Sequence, residues 1–253
     1  MVQLHRRLAT AAVASLVISF VGGIALTRAP RLRADEERAV EKPLLVGSQP
    51  ADKILFLGNS ITLHGPLESI GWSGNWGMAA SEESRDCVHL LTAQIAAQTH
   101  GQPKIMVKNI ADFERNYATF RGESSLKEAL DFRADIIILA IGENVSALAT
   151  EEEKSAYQAA LIQLLKTFHQ HGRSRVFARS TFWSDEAKNN AMAKACEATG
   201  DVFVELGKLD SDETNFARSE RKIDHAGVGA HPGDKGMKAI ADGIWKAIQS
   251  ASE

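Results

Sequence analysis

Gly58-Asn59-Ser60-Ile61-Thr62 follows directly on the apolar run Lys53-Ile54-Leu55-Phe56-Leu57. An aliphatic run that breaks at a glycine and presents a serine reads as a buried strand ending in a turn. Ends of parallel strands are where open α/β folds place their chemistry. A serine hydroxyl is almost fully protonated at neutral pH, so Ser60 serves as a nucleophile only with a base in reach. His231, in Ala230-His231-Pro232-Gly233-Asp234, is the candidate base, able to take the serine proton on attack and return it to the leaving alcohol. Between the two lies Gly142-Glu143-Asn144, again just after an apolar run. The Asn144 amide is a candidate donor to the negative oxygen of a tetrahedral intermediate. Each of these residues also has an ordinary use: a turn or N-cap serine, a surface-loop histidine, a strand-end asparagine.

The elements that must position these residues alternate along the chain. Strands are expected at Lys53–Leu57, Lys104–Ile110, Ala134–Ile141, Arg175–Ser180 and Val202–Leu206. Ile136-Ile137-Ile138-Leu139 is apolar on both faces, as a central parallel strand requires. Helices are expected at Asp86–His100, Ser124–Phe132, Asp185–Thr199 and about Lys235–Ser250. Another begins at the capping box Thr150-Glu151-Glu152-Glu153, with Tyr157, Leu161, Leu164, Leu165 and Phe168 on one stripe. Five strands with helical crossovers give an α/β fold with a mostly parallel sheet covered on both faces.

In their order and strand context, Gly58-Asn59-Ser60, Gly142-Glu143-Asn144 and the late His231-Pro232 resemble the SGNH hydrolases, the GDSL-type esterases and lipases. The resemblance spans about Asp52 to Ser250. It implies a three-layer flavodoxin-like sandwich with a five-stranded sheet, and ester hydrolysis through an acyl-enzyme without a cofactor. It casts Ser60 as nucleophile, His231 as base and Asn144 as oxyanion donor. A second oxyanion donor, a backbone N–H usually on glycine, falls on Ala111 after the second strand.

Two departures stand out. Asn59 occupies a place where the family usually has aspartate. Position 228, three residues before His231, is valine where the family usually has the acid that orients the imidazole. Asp224 is a candidate replacement, although nothing in the spacing requires it; a backbone carbonyl is another. Asp234 reads better as a helix cap. His64 and His225 are candidates to line the pocket. Trp72, Trp76 and Trp183 lie in expected loops, suited either to stacking on sugar rings and acyl groups or to local packing.

The 253 residues suffice for one α/β domain and a leader, and the net charge of −3 without a basic cluster argues against nucleic acid. His5-Arg6-Arg7 before the apolar stretch Leu8–Leu26 marks residues 1–27 as a signal peptide or membrane anchor, the stretch being nearly the ~20 residues that span a bilayer. The protein is therefore expected to be exported: periplasmic, extracellular or membrane-anchored. Residues 28–50 read as a charged linker and 51–253 as the domain. Cys87 and Cys196 can pair or remain free; burial in helices is the default. His169-Gln170-His171 lacks a third ligand, so no metal site is expected. The absent phosphate loop disfavours a nucleotide-binding domain.

The expected function is hydrolysis of a small-molecule or polysaccharide ester, acetyl or short acyl. The alternative is a non-catalytic carbohydrate-binding or cell-envelope module on the same scaffold.

Overall fold

The computed structural model describes residues 42–252. The candidate signal or anchor at 1–27 lies outside the described residues, and no helix among the described residues is long and apolar enough to cross a membrane.

The elements are β1 (Lys53–Gly58), α1 (Cys87–Thr99), β2 (Lys104–Asn109), α2 (Ala111–Asn116), α3 (Lys127–Phe132), β3 (Ile136–Ala140), α4 (Glu151–His171), β4 (Arg175–Arg179), α5 (Glu186–Thr199), β5 (Val202–Val204) and α6 (Asp234–Ala251). The sheet order is β2-β1-β3-β4-β5, parallel throughout. Strand side chains alternate between two apolar layers. Leu55, Leu57, Ile137 and Leu139 pack under α3, α4 and α5, with Leu130, Leu161 and Met192. Ile54, Phe56, Ile136 and Ile138 pack under α1 and α6, with Leu91, Ile95, Ile240 and Ile244. Burial on both faces is why β1 and β3 are so nearly continuous in aliphatic residues, whereas the edge strand β2 carries Lys104 and Lys108.

Local signals act where the sequence places them. Asp86 and Asp185 cap α1 and α5 by accepting from the N–H groups of His89 and Lys188. The capping box at Thr150 is complete. The expected helix 124–132 is instead a short turn of helix, Gly122–Ser125, followed by α3. Asp234 does not cap α6. Its carboxylate accepts from the backbone and hydroxyl of Ser81, while Glu220 accepts from the N–H groups of Asp234 and Lys235 and so satisfies the start of that helix. The end of the expected linker belongs to the domain: Leu45–Val46 pairs with Gln49–Pro50, Val46 is buried, and Ser48 bonds Ser252. Cys87 and Cys196 are free and buried. Burial pushes both thiols up to about 12.

Register sets up the site. Gly58 stands level with Asn109 on one side and Ala140 on the other. The three turns that follow, carrying Ser60, Ala111 and Asn144, therefore leave the sheet at one edge and one height.

Candidate active site

The turn after β1 is held by Asn59, whose Oδ1 accepts from the N–H of Ile61 at 3.1 Å. It turns Ser60 outward, and Ser60 Oγ lies 2.8 Å from His231 Nε2, a contact joining residues 171 apart in sequence. The other ring nitrogen, Nδ1, is 2.7 Å from the carbonyl oxygen of Gly227. A carbonyl only accepts, so Nδ1 carries the hydrogen and Nε2 presents its lone pair to the serine. Trp183 packs edge-on against the imidazole, with centroids 5.3 Å apart. Burial lowers the His231 pKa below the usual imidazole value, against the opposing pull of the Gly227 carbonyl. The ring is thus neutral across a wider pH range, as a base must be.

Asp224 does not orient this histidine. Its side chain is 91% exposed and sits 3.6 Å from the Lys222 ammonium. The short helical turn Ala226–Gly229 instead brings the Gly227 carbonyl over Nδ1.

Asn144 stands in the same cleft of about 380 Å3 as Ser60, His231, Ala111, His64 and His225. Gly142 makes its turn with φ +124°, a region closed to ordinary side chains, and a Cβ there would lie 2.6 Å from Thr181 Cγ2. Asn144 Nδ2 donates to Glu114 Oε2 at 2.8 Å. An amide nitrogen has two hydrogens, so this bond fixes the rotamer and leaves the second for a ligand. The Ala111 N–H already donates to Asn109 Oδ1 at 2.9 Å, so a bound oxyanion has to share or displace that acceptor.

Glu114 escaped the sequence reading. It is 1% exposed on α2 and accepts from Asn59 Nδ2, Gly142 N and Asn144 N through Oε1, and from Asn144 Nδ2 through Oε2. Glu143 does the same work from the other side: it accepts from Asn59 Nδ2 at 2.6 Å, Arg179 Nη1 at 2.6 Å and Phe182 N at 2.9 Å. Burial would raise the Glu143 carboxyl, but the Arg179 guanidinium and these donors outweigh it and hold the group below the usual carboxylate range. The only available signal was position: Glu114 lies one turn beyond Ala111, and Glu143 is the middle residue of the Gly-x-Asn turn.

The tryptophans divide. Trp72 is 8% exposed, packs edge-on against Trp76 and donates to the His64 carbonyl, so local packing describes both. Trp183 touches the site through His231. His64 Nδ1 lies 2.6 Å from the Gly65 carbonyl, and His225 Nδ1 accepts from Val228 N at 3.3 Å. Among the described residues there is no cluster of metal-ligating side chains.

No protein-family model and no curated protein matches the chain. Solved structures do. A GDSL-like lipase from Bacteroides uniformis superposes with TM-score 0.51 at 13% identity, over 79% of this chain and 96% of that one. A GDSL-like lipase from Bacteroides ovatus gives 0.51 at 15%, over 80% and 100%. This chain has the SGNH-hydrolase fold. An acetyl xylan esterase from the rumen bacterium Butyrivibrio proteoclasticus shares it, with TM-score 0.51 at 14% identity over 79% of this chain and 64% of that one.

Proposed function

We propose that this protein is an exported serine esterase that hydrolyses carboxylic esters through an acyl-enzyme. The observation that carries the proposal is the 2.8 Å contact between Ser60 Oγ and a His231 ring whose tautomer the Gly227 carbonyl fixes. In the first half-reaction Ser60 Oγ attacks the ester carbonyl as its proton passes to His231 Nε2. The oxyanion accepts from the free Asn144 Nδ2 hydrogen and from the Ala111 N–H. Collapse expels the alcohol, which takes the proton from His231. In the second half-reaction water attacks the acyl-serine, again losing its proton to Nε2, and the acid leaves with Ser60 restored.

A small acyl group suits a cleft of about 380 Å3 whose apolar wall is Ile70, Met78 and Val228. A carbohydrate acetate is the substrate class we favour; one protein of the same fold is an acetyl xylan esterase. The basic-flanked apolar stretch at residues 8–26 supports export, by cleaved signal or retained anchor. The non-catalytic binding reading rests on the missing acid at position 228 and on alanine in place of the oxyanion glycine; the Gly227 carbonyl weighs against the first, and the backbone N–H that Ala111 retains weighs against the second.

The test is hydrolysis of p-nitrophenyl acetate and longer acyl esters by the purified chain and its Ser60→Ala variant. Turnover that needs Ser60 and favours acetate is the expected result. Equal turnover by the variant sinks the mechanism.

A further inference from the structure

The cleft beside Ser60 is walled by residues from four segments, and among the described residues no aspartate or glutamate lines it. Among the described residues, its one permanently charged wall residue is Arg115. Arg115 lies four residues after Ala111 on α2, so the two share a face, about one turn apart. Their Cα atoms therefore stand about 6 Å apart along the helix axis, and both side chains face the cleft that holds Ser60. Among the described residues it has only a loose ion-pair partner. Its carboxylate neighbour, Asp112, is 3.9 Å away and 87% exposed, whereas the surface pair Arg218–Glu213 is bidentate at 2.7 and 2.8 Å. His225 adds a neutral donor to the same cleft: its Nδ1 accepts from Val228, so Nε2 carries the hydrogen.

We infer that this esterase takes esters that carry an anionic group, a carboxylate a few bonds from the scissile carbonyl, and that Arg115 is the residue that selects them. The inference rests on the serine esterase reading of the same cleft. A planar guanidinium binds a carboxylate through two parallel hydrogen bonds, and lysine does not reproduce that fork. The anion has two possible sources. It belongs to the acyl part, as in a hemiester of a dicarboxylic acid, or to the alcohol part, as in an acetylated uronic acid. Arg115 is 56% exposed, so water and salt limit the gain.

The test uses the full chain and two substrate pairs at low ionic strength. One pair is mono-p-nitrophenyl succinate against p-nitrophenyl butyrate; the other is O-acetyl glucuronic acid against O-acetyl glucose. Binding of glucuronate and of succinate to the Ser60→Ala variant is measured alongside by calorimetry. The expected result is a preference of about fivefold in kcat/KM for the anionic member of one pair, the size a partly exposed charge pair supplies. Which pair shows it tells whether the anion sits on the acyl or the alcohol side. Arg115→Gln removes the preference, Arg115→Glu reverses it, and Arg115→Lys restores part of it. Ser60-dependent turnover with equal rates on both members, or a preference untouched by Arg115→Gln, overturns the inference and leaves the esterase standing. No turnover, but anion binding that Arg115→Gln abolishes, supports the anion site and overturns the esterase. No turnover and no anion binding overturns both.

Discussion

Asn59 donates both hydrogens of its amide to carboxyl groups, one to Glu143 at 2.6 Å and one to Glu114 at 3.1 Å. The amide nitrogen carries two hydrogens and so serves two acceptors at once without bringing in a charge. Resemblance to the SGNH hydrolases leads one to expect aspartate here, and the two glutamates supply the physical reason for the exchange. An aspartate would face two other carboxyl groups with Asn59's place fully buried.

Asn59→Asp therefore destabilises the fold by about 3 kcal/mol, through lost charge-assisted hydrogen bonds and like-charge contact. The new carboxyl has a raised pKa in the folded state, so the protonated form is favoured there and the penalty shrinks as pH falls. Urea unfolding at about pH 5 and about pH 8 checks this: the deficit relative to the parent chain is larger at the higher pH. A deficit independent of pH contradicts the charge argument.

Asn144→Ala removes the proposed oxyanion amide and, with it, one of Glu114's donors. Loss of such a donor lowers kcat by about 10²–10³. The KM for p-nitrophenyl acetate changes little, because the interaction strengthens only as the oxygen becomes charged. A change confined to KM argues for a substrate-binding role instead.

The pH profile of kcat/KM reports the free base. Burial, the largest influence on His231, lowers its pKa, so the ascending limb has its midpoint below the ordinary imidazole value of ~6.5. Trp183→Ala opens the edge of the ring to water and moves that midpoint upward. A profile unchanged by Trp183→Ala rejects the assignment of the limb to a Trp183-shielded His231.

Arg179 is 0% exposed in its side chain and pairs with Glu143 at 2.6 Å. Removing one partner of such a pair leaves the other buried and uncompensated, so Arg179→Met costs about 3–5 kcal/mol. The double variant Arg179→Met with Glu143→Gln recovers part of the loss, which denaturant melts of the four species measure as a coupling energy. The acid side follows from the lowered Glu143 pKa: the stability it contributes is present above the unfolded carboxyl value and is lost as pH falls through the lower folded value.

Much of the fold was legible because the relevant signals are local. Strands apolar on both faces and a complete capping box at Thr150 each act within a few residues, whereas the caps at Asp86 and Asp185 were found only in the structure. The Ser60 turn and Gly142 were legible for the same reason: a Cβ at Gly58 would collide with Thr62, and Gly142 has φ +124°. Glu114 was hidden because its partners Asn59, Gly142 and Asn144 come from two other strand ends, and only the register of Gly58 with Asn109 and Ala140 brings them together. The orienter of His231 was hidden for a different reason. It is a peptide carbonyl, which every residue possesses, and no residue type announces it.

That last feature changes how the site can be broken. A side-chain acid can be deleted by one substitution, but the Gly227 carbonyl survives any replacement that preserves the path of the chain from His225 to His231. The orienting function is thus written in the length and curvature of a seven-residue segment rather than in its letters. What it cannot absorb is a change of length: a single added residue between His225 and His231 would do to the histidine what losing its acid does in a three-residue relay.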